Sequence, residues 1–163
     1  MKQAIEIALK TWYPKDDGLH FNPHHPLGKL LGEWGELLDD YMKSLYKPGY
    51  IFEPEDELGD IWYYLRILCY QINYTPVNLE ISIEKTEELI ALTIWKTART
   101  FHFFMGNYTF GGAMSKDTLD WSYSALVAIA RRYNLTLDDL THSNWEKLKP
   151  GSERGGEWMK TRG

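Results

Sequence analysis

Apolar residues recur along this chain at the three- to four-residue spacing of amphipathic helices, and no convincing strand alternation appears. Pro48-Gly49 and Pro54 mark a break between two long helical segments. Thr136 precedes two acidic residues, as an N-cap with an acidic first turn would. The pattern predicts an all-α antiparallel bundle with helices near residues 2–12, 27–46, 55–72, 83–105, 118–133 and 137–148.

Length and composition narrow the possibilities further. The 163 residues suffice for one domain, residues 1–163, and the net charge of -5 argues against a nucleic-acid polymer as partner. No apolar run approaches the roughly 20 residues needed to span a membrane, and the charged start is too short for a signal peptide. With one cysteine, Cys69, expected to be buried, we predict a cytoplasmic protein.

Two segments of the chain are rich in glycine. Residues 105–112 lack the spacing and the terminal Lys-Ser/Thr of a phosphate-binding loop, so we interpret them as a connector. Residues 150–163 are rich in glycine and charge, which predicts a mobile tail unless a ligand orders it.

Four acidic residues carry the clearest chemical signal. Glu33 and Glu36 lie on the second predicted helix, and Glu57 and Asp60 lie on the third. A spacing of three places both members of a pair on one helical face. Each pair borders an apolar stripe, where an unpaired carboxylate costs several kcal/mol. The apolar positions are Leu30, Trp34, Leu37, Tyr41 and Leu45 on one helix and Ile61, Tyr64, Leu65 and Leu68 on the other.

Carboxylate oxygens without cysteine or an ordered histidine pattern favour Mg²⁺, or Mn²⁺, over zinc. An isolated E-x-x-E is usually a solvated face paired with lysines, here Lys29 and Lys43. Two such pairs on consecutive helices favour a metal site instead. A di-iron bundle would need Glu-x-x-His pairs, which neither acid pair provides. A non-enzymatic helical adaptor, with its acids salt-bridged or bound to a basic partner, stays open.

The acidic segments resemble a known family. The matching stretches are Gly32-Glu33-Trp34-Gly35-Glu36-Leu37, Glu57-Leu58-Gly59-Asp60-Ile61-Trp62-Tyr63-Tyr64 and Asn144-Trp145-Glu146-Lys147-Leu148. They are similar to the E-x-x-E helix, the E-x-x-D helix and the terminal N-x-x-K-L signature of the MazG-like all-α nucleoside triphosphate pyrophosphohydrolases. Gly32 stands where the family often has another glutamate, which leaves four ligands rather than five.

This resemblance implies Mg²⁺-dependent hydrolysis of a nucleoside or deoxynucleoside triphosphate to the monophosphate and pyrophosphate. The residues implied as metal ligands and catalytic groups are Glu33, Glu36, Glu57 and Asp60. It also implies that Asn144 and Lys147 contact substrate and that the protein is a homodimer or larger homo-oligomer. A dUTPase-like or alarmone-directed activity of the same superfamily is the alternative.

Two further cations and one segment complete the expectations. Lys43 is a candidate phosphate contact or a surface ion-pair partner, and Arg154 is a similar candidate. Residues 73–116 match nothing in the family and are interpreted as an inserted helical segment. The acidic residues at 84 and 87, with those at 117 and 120 directly after the segment, repeat the spacing of the first two pairs, either by chance or as a degenerate repeat.

Overall fold

A computed structural model describes residues 24–107, 116–149 and 152 of the chain. These residues form helices and no strand, which confirms the all-α prediction for the described part of the chain. The helices are α1 (His24–Tyr46), α2 (Glu55–Gln71), α3 (Thr86–Asn107), α4 (Lys116–Arg132) and α5 (Leu137–Leu148). The helix predicted at residues 2–12 lies outside the described residues, as do most of the connector and nearly all of the tail.

The first four described helices close into a ring. Helix α1 packs against α2 and α3, and α4 packs against the same two helices, while α5 lies on the outer side against α2. The short connection between α1 and α2, residues 47–54, favours an antiparallel arrangement of these neighbours. Within the described ranges, no helix has the length and apolar character needed to cross a membrane.

The predicted apolar stripe of α1 forms one side of the core. Leu30, Trp34 and Leu37 are fully buried, and the Trp34 indole N–H donates to Ser122 Oγ of α4 at 3.0 Å across the bundle. Leu45 departs from the prediction because 52% of its surface is exposed. The stripe therefore ends before the helix does.

Local hydrogen bonds set the ends of several helices. Thr136 and Asp139 form the capping box of α5, which confirms the predicted N-cap. Asn134 follows α4 with a φ of 59°, and the next amide bonds back to the Ala130 carbonyl at 2.9 Å. The observed bounds differ from the predicted ones by a few residues. Helix α3 begins at Thr86 instead of residue 83, and the Arg132 guanidinium donates a hydrogen bond to the Ile83 carbonyl just before it.

The segment interpreted as an insertion contributes to the core. Leu89 and Ile90 of α3 are fully buried. The chain before α3 is fastened to α4, since Asp120 accepts hydrogen bonds from Tyr74 Oη at 2.9 Å and from the Val77 amide at 2.7 Å. Asp120 thus has a structural role. The interpretation of residues 73–116 as an insertion relative to a family stays a prediction.

Candidate carboxylate site

The packing of α1 against α2 places the two predicted acid pairs on adjoining helices. We call Glu33, Glu36, Glu57 and Asp60 the carboxylate site. Glu36 is exposed, and the other three are half-buried. Burial of Glu33 follows from helical geometry, because residues three before and four after it are core leucines on the same face.

Glu33 and Asp60 are brought together from different helices. The pKa of Glu33 is raised from 4.5 to about 7, mainly by burial and also by the negative charges of Asp60 and Glu36. The ammonium groups of Lys29 and Lys147 act in the opposite direction without cancelling the effect. The carboxylates of Glu33, Glu36 and Asp60 therefore interact with one another, and the two lysines compensate their negative charge only in part.

Glu57 lies among a different set of charges. Burial is the main cause of its raised pKa, and the carboxylates of Asp40 and Asp56 add to it, whereas a backbone hydrogen bond and Lys147 lower it. Asp40 in turn accepts a hydrogen bond from the Tyr50 hydroxyl in the α1–α2 connection. The carboxylate site thus extends from Glu33 and Asp60 toward this connection.

Asp60 is held by α5. Asn144 Nδ2 donates to Asp60 Oδ1 at 2.6 Å, and Lys147 Nζ donates to Asp60 Oδ2 at 3.1 Å. Lys147 Nζ also lies 3.6 Å from Asp56 Oδ1 and 3.4 Å from the Asp56 carbonyl oxygen. The two residues predicted to contact substrate therefore contact a predicted metal ligand in this structure.

The fit of α5 against α2 explains this arrangement. Gly59 is buried beneath the Leu140 carbonyl and Asn144, so the backbone of α5 runs close to the helix that carries Asp60. One turn away, the Trp62 indole N–H donates to Thr141 Oγ1 at 3.0 Å. These contacts fix the register that brings Asn144 beside Asp60.

The other two basic residues predicted to contact substrate are Lys43 and Arg154. Lys43 forms an ion pair with Asp39 at 2.7 Å, and both side chains are exposed. This is the local i,i+4 pair that was the alternative to a phosphate contact. Arg154 lies outside the described residues.

The donor set suits a hard divalent cation, because every member is a carboxylate and Glu33 lies in an excess of negative charge. Among the described side chains, no three of His, Cys, Asp and Glu are arranged to hold a metal ion. The position next to Asp60 is held instead by the ammonium of Lys147. Cation binding would therefore require these side chains to rearrange.

A cleft of about 1010 Å³ adjoins the site at the α1–α2 connection. Phe52 anchors the connection by packing edge-on against Tyr41 and Tyr133, with ring centroids 5.1 and 5.2 Å apart. The acidic residues that line the cleft are Asp40, Glu53, Glu55, Asp56 and Glu57. Such a lining is unfavourable for free phosphate groups and compatible with an uncharged or amine-bearing group.

Two residues of this region were missed by the sequence analysis. Asp56, which pairs with Lys147, precedes Asp60 by four positions, so helical spacing was a usable signal. Tyr50 lies in a connection without periodicity, and nothing in the sequence marked it as a partner of Asp40.

Comparison of the chain with protein-family models, with curated proteins and with solved structures gives no match. The resemblance of the acidic motifs to the MazG-like family therefore stays a prediction, and the functional argument rests on the geometry above.

Proposed function

We propose that this protein is a Mg²⁺-dependent pyrophosphohydrolase that converts a nucleoside triphosphate to the monophosphate and pyrophosphate, with a MazG-like bundle as its scaffold. The observation that carries the proposal is the approach of Glu33 on α1 to Asp60 on α2, at a point where acids outnumber cations. A surface face of ordinary ion pairs would not raise the pKa of Glu33 to about 7.

In this proposal, some residues bind the cation and others orient those ligands. Glu33, Glu36, Glu57 and Asp60 would hold the cation, and Asn144 orients Asp60 through its 2.6 Å hydrogen bond. A bound divalent cation would neutralise triphosphate charge and lower the pKa of the attacking water. Glu33 must lose its proton to act as a ligand, so cation binding should strengthen as pH rises toward and above 7.

We assign the nucleoside part of the substrate to the cleft beside Glu57. Its volume of about 1010 Å³ is ample for a nucleoside, and its acidic lining disfavours phosphates. Ile51 lines the cleft and is 74% exposed. Ile51→Trp should therefore change the KM for nucleoside triphosphates and leave hydrolysis of inorganic tripolyphosphate unchanged. Equal effects on both substrates would refute this placement.

The central test is incubation of the folded protein with Mg²⁺ and a panel of standard and modified nucleoside triphosphates. Chromatography then separates monophosphate, diphosphate, phosphate and pyrophosphate. We expect monophosphate and pyrophosphate in equal amounts, with turnover lowered on the order of a hundredfold in Glu36→Gln and Asp60→Asn.

Asp39→Asn is the matched control for this test. It removes one exposed carboxylate from α1, paired with Lys43 and outside the carboxylate site. Its turnover should stay within about twofold of the unmodified protein. No turnover of any triphosphate, or equal rates in all three variants, would contradict the proposal.

A helical adaptor without catalytic activity is the second candidate. The ion pair between Lys147 and Asp60 favours it, because salt-bridged acids are what this alternative predicts. Thermal unfolding separates the two functions. A melting temperature that rises with Mg²⁺ and falls back with chelator supports the enzyme, and one that is indifferent to Mg²⁺ supports the adaptor.

A further inference from the structure

The ammonium of Lys147 lies among oxygen atoms of two acidic residues of α2. Its side chain is only 16% exposed, and its ammonium is surrounded by a carboxylate oxygen of Asp60, a carboxylate oxygen of Asp56 and the Asp56 carbonyl oxygen, at 3.1, 3.6 and 3.4 Å. Oxygen atoms of these two kinds are also typical ligands of hard divalent cations. The lysine thus supplies positive charge to a site built from oxygen donors.

Both oxygens of Asp60 are already engaged in this arrangement. Asn144 binds Oδ1 and Lys147 binds Oδ2, and the Asp60 side chain is 26% exposed. A divalent cation that bound Oδ2 would share it with an ammonium, and the two positive charges would repel at short range. We therefore expect the ammonium and the cation to compete for Asp60.

We propose that Lys147 is a built-in counter-ion that holds Asp60 in the metal-free protein and leaves it when a divalent cation binds. This inference rests on the metal-binding part of the proposed function. The displaced ammonium stays on a flexible four-carbon side chain beside the carboxylate site, where it can bind a phosphate group as a point charge. Lys147 would then couple cation binding to phosphate binding, because its contact with a phosphate group would stabilise the state in which it has left Asp60.

The test is Mn²⁺ binding by calorimetry in the absence of nucleotide. Lys147→Met removes the competing ammonium and keeps most of the side-chain length, so it should bind Mn²⁺ roughly fivefold more tightly than the unmodified protein. Lys147→Arg retains the charge and the ion pair, so its affinity should stay close to that of the unmodified protein.

Lys29→Met is the matched control for charge alone. The exposed Lys29 ammonium also attracts the Glu33 carboxylate, but within the described part of the chain it forms no ion pair with Asp60. Its removal should change the Mn²⁺ affinity by less than about twofold. An equal gain in the Lys29 and Lys147 variants, or an unchanged affinity in Lys147→Met, would overturn the inference.

A measurement on the protein without substitutions avoids the risk that a variant misfolds. After ¹³C-methylation of its lysines, NMR should show the Lys147 signal moving on Mg²⁺ addition while Lys149, paired with the exposed Glu146, stays in place. A stationary Lys147 signal at saturating Mg²⁺ overturns the inference alone. Absence of cation binding in every form overturns it together with the metal site, whereas tighter binding in Lys147→Met without hydrolysis by any form refutes only the proposed reaction.

Discussion

Replacement of Glu33 by glutamine should stabilise the metal-free protein. The carboxylate has a pKa of about 7 in the folded protein, because of burial and the charges of Asp60 and Glu36, against 4.5 for an ordinary glutamate. The folded protein keeps this proton up to about pH 7, whereas the unfolded chain releases it near pH 4.5. The free energy of unfolding therefore falls as pH rises through this interval.

The size of the effect follows from the two pKa values. At 1.36 kcal/mol per tenfold change in proton affinity, the difference between 4.5 and about 7 corresponds to about 3 kcal/mol. Glu33 is only half-buried, and water screens its charge, so we expect roughly half of this value, between about 1 and 2 kcal/mol. Glutamine is nearly isosteric and uncharged, and it avoids this cost.

Urea denaturation with chelator present, at about pH 4 and about pH 8, measures the prediction. The stability of Glu33→Gln relative to the unmodified protein should increase by between about 1 and 2 kcal/mol from the lower to the higher pH. Asp39→Asn, which removes an exposed acid of the same helix, should show little change. Parallel pH dependence of Glu33→Gln and the unmodified protein would refute the argument from burial and repulsion.

Three further substitutions test the scaffold around the site, each by urea denaturation unless stated otherwise. Thr136→Ala removes the capping box of α5 and should cost about 1 kcal/mol, while a Ser replacement should restore most of it. Trp34→Phe leaves the buried Ser122 hydroxyl without its indole donor and should cost about 2 kcal/mol, and a loss below about 0.5 kcal/mol would contradict the importance of this bond. Asn144→Ala removes the donor to Asp60 Oδ1 and should weaken Mn²⁺ binding in calorimetry by about tenfold, with an unchanged affinity arguing against an orienting role.

The helices could be predicted because their signals are local. Apolar spacing located Trp34 in the core, and the Thr136 signature located the start of α5. The burial of Cys69 also followed from its place in an apolar helix. The exposure of Leu45 could not be predicted from apolar spacing. Periodicity shows which face of a helix is apolar, but it does not show how much of that face a neighbouring helix covers.

The candidate site could be predicted only in part. Helical spacing indicated the acid pairs, and family resemblance pointed to Asn144 and Lys147, yet neither implied that these two would bind Asp60. Asp60 precedes Asn144 by 84 positions and Lys147 by 87, so both contacts depend on how α5 docks against α2. By contrast, the ion pair of Lys43 with Asp39 spans four residues and is a local helical contact.

The wide separation of Asp60 from Lys147 also has a consequence for biosynthesis. A ribosome that adds about 5–20 residues per second needs roughly 4–17 s to pass from one to the other. During that interval the nascent α1–α2 pair carries its carboxylates without the lysine that later neutralises Asp60. Until α5 is made, Lys29 and cations from the surrounding solution supply the positive charge instead. Under the proposed function, the carboxylates would therefore be exposed to Mg²⁺ before Lys147 is synthesised.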